Sequence, residues 1–149
     1  MHVQRTRMIG FTLVELIMTM VIIGIIAVVA VPRFSDNNVF QSRGFADQVL
    51  ASLRYAQKVA IARHSNVCAN YSTSPNRLTL MMTVTTSCDT ALSFSSGNSY
   101  IEAPSGVTFS MSAASIIFDA LGRPTPPATA TVGTTAIIVE AETGYVHSP

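Results

Sequence analysis

Hydrophobic and polar positions change their rhythm three times along the chain. From Phe11 to Val31 the residues run apolar for 21 positions, and Glu15 is the only charge among them. A helix of that length rises roughly 30 Å, enough to cross the hydrocarbon core of a bilayer. The run therefore predicts a membrane-spanning helix over residues 11–32. Gly24 and Pro32 are its expected weak points, because Pro32 lacks a backbone donor and clashes with the preceding turn. Asp36-Asn37-Asn38 reads as a local break or a fresh N-cap. Beyond it, Ala46, Val49, Leu50, Leu53, Ala56 and Ala60 recur at spacings of three and four and make one apolar helix face. That periodicity predicts an amphipathic continuation of the helix over residues 33–64. Asp47, Arg54 and Lys58 fall on another side, where a solvated face is the simplest account. Arg43 and Asp47 are spaced to attract, and Arg54 and Lys58 to repel mildly.

After Ser65 the pattern shortens to strand length. Val67–Tyr71 and Leu78–Val84 flank the turn cluster Thr73-Ser74-Pro75-Asn76 and predict a hairpin. Leu92–Phe94, Tyr100–Ile101, Val107–Met111 and Ile116–Phe118 are further short strands. Residues 122–127 hold three prolines and read as a loop. Thr129–Val132, Ala136–Glu140 and Tyr145–His147 follow, with Glu142-Thr143-Gly144 turning the chain into a final hairpin. The predicted fold is α+β: a long N-terminal helix, transmembrane in its first half, packed on a small antiparallel β domain over residues 65–149.

Composition supports that division. The chain has 149 residues, 48% hydrophobic but only 11% charged. About 115 residues remain beyond the apolar run, which suits one small domain. Its richness in Ser, Thr and Val favours β structure over a disordered tail. The net charge is +1, too small to point to nucleic acid as a partner. Arg5 and Arg7 precede the apolar run and place that end on the cytoplasmic side, with the domain on the other. Glu15 is the anomaly. A carboxylate in a membrane helix costs about 2.5–3.5 kcal/mol on insertion scales, so it is expected to have a partner or a job. A secretory signal peptide would explain the apolar run with a cut near Ala27-Val28-Val29-Ala30, but leaves Glu15 out of place and the run too long.

Gly10-Phe11-Thr12-Leu13-Val14-Glu15-Leu16, behind a short basic leader and ahead of an apolar helix with Gly24 and Pro32, resembles the type IV pilin superfamily. The resemblance implies a leader over residues 1–10, cleavage of Gly10–Phe11 by prepilin peptidase, and N-methylation of Phe11. It makes Glu15 and Phe11 assembly residues, with the Glu15 carboxylate pairing with the Phe11 amine of a neighbouring subunit. Three later phrases resemble the minor pseudopilin GspH/FimT class: Leu53–Ile61, Phe118–Pro124, and Ile138-Val139-Glu140 with Thr143-Gly144. Val31-Pro32-Arg33-Phe34 is similar to MSHA-type pilins and their minor subunits. The function implied is a structural subunit of a type IV pilus or type II secretion pseudopilus. Its implied partners are prepilin peptidase, other subunits and the inner-membrane assembly machinery, with the chain in the bacterial inner membrane before assembly and in a pilus or pseudopilus afterwards. Some members of the class bind DNA through a basic C-terminal segment, whereas Gly144–Pro149 contains no Lys or Arg. Two other readings share the anchor: a filament-tip binding module, and an unprocessed single-pass membrane protein.

Cys68 and Cys88 are the two cysteines. An extracytoplasmic domain predicts that they pair as a disulfide. Two thiols with no nearby His pattern make an incomplete metal ligand set. The sequence offers no candidate catalytic residue, no cofactor motif and no metal site. His64 and His147 stand apart, there is no nucleophile elbow, and no glycine loop for phosphate.

Overall fold

The computed structural model describes residues 11–30, 37–83, 87–94 and 96–149. The predicted leader and Gly10, the segment with Pro32 and Asp36, and Val84 lie outside the described residues. The chain divides into two units, residues 1–37 and 38–149.

In the first unit, α1 spans Leu13–Ala30 and passes through Gly24 as helix. Every large apolar side chain from Phe11 to Val28 is more than half exposed. A Cβ added at Gly24 would meet nothing within 4 Å. Among the described residues no helix is long and apolar enough to cross a membrane.

The second unit holds α2 (Asn37–Arg63) and the strands. The buried face of α2 is Phe45, Ala46, Val49, Ser52, Leu53, Ala56 and Ala60. The apolar periodicity predicts most of that face but omits Phe45 and Ser52. Ser52 is tolerated there because its hydroxyl donates to the Gln48 carbonyl one turn back at 2.7 Å. The helix stops in a Schellman turn. His64 takes φ +48°, its N–H reaches the Ile61 carbonyl, and the Ser65 N–H reaches Ala60.

One sheet has the order β3-β2-β1-β6-β7, with β4 also pairing β2. Its strands are β1 (Val67–Thr73), β2 (Asn76–Thr83), β3 (Cys88–Ala91), β4 (Tyr100–Glu102), β6 (Ser115–Phe118) and β7 (Pro124–Thr125). The other sheet has the order β10-β9-β8-β5, built from β5 (Phe109–Met111), β8 (Ala128–Val132), β9 (Thr135–Val139) and β10 (Val146–His147). All pairings are antiparallel. Leu92–Phe94, expected as a strand, follows β3 as irregular chain; Leu92 is nonetheless buried. The proline-rich stretch contains β7, which pairs with β6 at the sheet edge, where a missing proline donor is harmless.

The two sheets meet at the Phe109 carbonyl, which accepts from the Tyr71 hydroxyl (2.9 Å) and the Asn76 amide (3.2 Å). The Phe109 ring lies edge-on to both Phe45 and Tyr71. Helix and sheets thus share one core, with Leu53, Leu78, Leu80, Ile116, Phe118 and Ile137 fully buried.

Candidate functional site

Two places in the chain gather residues singled out by the sequence. The first is the start of α1. The Thr12 carbonyl accepts from the Leu16 N–H at 3.2 Å, and its hydroxyl accepts from the Glu15 N–H at 3.3 Å. Thr12 is therefore the N-cap, and Phe11 lies outside the helix with its ring exposed. Glu15 stands in the first turn, exposed among apolar neighbours.

The second place is a knot of loops against α2. Gln57 donates through one amide nitrogen to the carbonyls of Gly122 (3.2 Å) and Thr143 (2.8 Å). Three phrases singled out in the sequence meet here: Gln57 from α2, Gly122 after β6, and Thr143-Gly144 after β9. Gly122 and Gly144 have φ of +80° and +65°. A Cβ on Gly144 would overlap the Gly122 carbonyl oxygen. Arg54, expected to be solvated, donates through Nε to the Val146 carbonyl at 2.9 Å and ties β10 to the helix. These contacts are structural. Sequence reasoning notes the phrases but not their meeting, and the paired glycines are the signal that could have shown it.

Asp119 organises the loop that carries Gly122. Its carboxylate accepts from the backbone N–H groups of Arg123 (2.8 Å) and Leu121 (2.9 Å), and pairs with the Arg123 guanidinium at 2.9 Å. The Arg123 backbone bond leads in holding the Asp119 carboxyl below its ordinary value of 3.8, assisted by the guanidinium and the Leu121 N–H. A lowered folded-state pKa means that this contribution is complete above the ordinary value and is lost as pH falls through the lowered one. In an acid titration followed by NMR, the Leu121 and Arg123 amide signals should move together, with a midpoint below 3.8. A midpoint at or above that value would contradict the arrangement.

Cys68 on β1 and Cys88 at the start of β3 are joined by a disulfide, with 6.1 Å between their Cα atoms. In the chain-entropy account, closing a loop of this size contributes roughly 3 kcal/mol. His147 lies 3.0 Å from the Glu140 carboxylate and stacks on Tyr145, at the surface. His64 serves the helix terminus. Among the described residues no His, Cys, Asp and Glu cluster could hold a metal ion. A shallow groove of about 270 Å³ lies between the start of α2 and the β8–β9 turn, with Arg43 its one charged wall. A second, of about 250 Å³, is lined by Ala51, Ser52, Tyr55 and Phe94.

The start of α1 lies within a recognised sequence signature. Residues 5–31 match the prokaryotic N-terminal methylation motif. The matched segment is the amino-terminal part of the chain, 27 of its 149 residues. A curated pilin of Thermus thermophilus, the type IV narrow pilus major component PilA5, is 38% identical over 58 residues. That match covers 39% of this chain and half the length of the relative. The fold is similar to that of two solved proteins. The minor pseudopilin EpsH from the type 2 secretion system of Vibrio cholerae superposes with a TM-score of 0.62 at 13% identity, covering 73% of this chain and 96% of EpsH. The type IV minor pilin FimU of Pseudomonas aeruginosa does so with a TM-score of 0.58 at 14% identity, covering 78% of this chain and 92% of FimU.

Proposed function

We propose that the protein is a minor pilin or pseudopilin, a structural subunit of a type IV pilus or a type II secretion pseudopilus. The observation that carries this reading is α1: an apolar helix with exposed side chains, bearing one carboxylate, lying within the match to a methylation motif. Such a surface needs a bilayer or a bundle of like helices. The chain is held first in the inner membrane by residues 11–32, with the β domain outside the cytoplasm. Prepilin peptidase cuts Gly10–Phe11, and the new terminal amine of Phe11 is methylated. The inner-membrane assembly machinery then moves α1 into a filament core among the helices of other subunits. Apolar packing dominates there, and Glu15 offsets its burial by pairing with the Phe11 amine of a neighbour. Gly24 and Pro32 let the apolar segment adapt its length during that transfer.

The mass of the N-terminal peptide from membrane-extracted protein tests the proposal. A peptide beginning at N-methylated Phe11 is the expected result. An intact Met1 would leave an unprocessed single-pass anchor, and a new end near Ala30 would make the domain a secreted protein.

A further inference from the structure

The amino-terminal turn of α1 carries an inference that rests on the proposed processing and goes beyond it. Thr12 accepts both bonds that define a helix start, the Leu16 N–H on its carbonyl and the Glu15 N–H on its hydroxyl. It does so one residue after the Gly10–Phe11 bond, and Phe11 is outside the helix with its ring 79% exposed. We propose that Thr12 is a positioning residue for cleavage: as N-cap it halts α1 and keeps the Phe11 side of the scissile bond in non-helical backbone.

The physical argument is one of geometry. A peptidase must lay the chain on both sides of the bond along its cleft, and a helix denies it the backbone. Residues of an apolar run have little reason to end a helix in an apolar medium, because helical backbone satisfies itself there. Some residue must therefore stop the helix short of the bond. A side-chain oxygen at the N-cap does this by satisfying the N–H of the third helical residue while its own backbone leaves the helical region. The cap also sets where Glu15 falls. Thr12-Leu13-Val14-Glu15 has the spacing of a capping box, of which the Thr12-to-Glu15 half is formed.

The test is a series at this one position in the full-length chain, expressed in cells with active prepilin peptidase. Thr12→Ser and Thr12→Asn retain a capping oxygen. Thr12→Val keeps the shape of threonine without it, and Thr12→Ala is the best helix former. Cleavage is followed by pulse-chase, and intact anchoring is checked by alkaline extraction of membranes. Ser and Asn are expected to mature at close to the wild-type rate, and Val and Ala roughly three- to tenfold more slowly, the range a lost cap implies. Four variants maturing alike would overturn the proposal while leaving the processing itself established. Slow maturation of Asn and Ser along with Val would also overturn it, since the peptidase would then be reading threonine directly. An uncut wild-type chain would overturn both this inference and the filament-subunit reading.

Discussion

A Glu15→Val chain is expected to insert, to be trimmed at Phe11, and to stay out of filaments. The expectation follows from what the carboxylate faces in each state. In the isolated subunit Glu15 is exposed in the first turn of α1, so removing it disturbs little packing. In the proposed filament core a charged Phe11 amine has no water and only this carboxylate to meet. Removing one member of a buried pair costs about 3–5 kcal/mol, because the other is left uncompensated. That is roughly a hundredfold or more in the equilibrium for adding a subunit. Glu15→Gln should fall between, keeping an acceptor without the charge. Sheared filaments should lack the Val variant, while membranes contain its mature form at normal abundance. Incorporation of the Val variant at the wild-type level would end the pairing hypothesis.

Gly144→Ala should destabilise the β domain by about 3 kcal/mol or more, combining two penalties of known size. The backbone at Gly144 has φ +65°, a region in which alanine is strained by about 1–2 kcal/mol. The new Cβ would overlap the Gly122 carbonyl and lie 2.7 Å from the Gln57 amide nitrogen. The loops must separate, and the two carbonyls that Gln57 serves lose their donor. A loss of this size should lower the midpoint of thermal unfolding by on the order of 10 °C. Near-ultraviolet circular dichroism of the detergent-solubilised chain can follow it, because all four tyrosines belong to the second unit. Gln57→Ala should produce a smaller drop, since it removes the bonds without the overlap. A Gly144→Ala midpoint within about 2 °C of wild type would show that the knot carries little of the stability.

What the sequence discloses depends on how local the cause is. The β1–β2 hairpin is legible because Ser74-Pro75 turns the chain between two strand-like runs that pair directly, Val67 with Met82 through Thr73 with Asn76. The helix face is legible from its period, apart from Ser52. Phe45, four residues before Val49, extends that series by one turn and is buried with its ring edge-on to Phe109. Leu92–Phe94 fails as a strand because only Leu92 still donates to β2, at the Leu80 carbonyl, whereas Phe94 bonds to Asn98 and lays its ring against Tyr55. Arg54 and Gln57 look like ordinary surface positions on a helix. Their partners are carbonyls 92, 65 and 86 residues away, and a carbonyl has no residue type to give it away. The amino-terminal motif is the opposite case. Under the proposed processing, an enzyme that reads residues in order leaves its requirements in that order, so Gly10, Phe11 and Glu15 stand out before any fold is known.

The Arg54–Val146 bond has a consequence for how the domain comes into being. A ribosome delivers α2 long before β10, since the two ends of that bond lie 92 residues apart. Phe45, Val49 and Leu53 must wait without their cover until Ile116, Phe118, Ile137 and Val146 have been synthesised. The β1–β2 hairpin can close early, but its strand β1 gains its second neighbour only when β6 appears. For most of its synthesis the nascent domain is therefore an open helix and a lone hairpin with greasy faces showing. A holdase that shields those faces would have its longest engagement with α2, and a translation pause before β6 would prolong the period in which the chain is prone to aggregate.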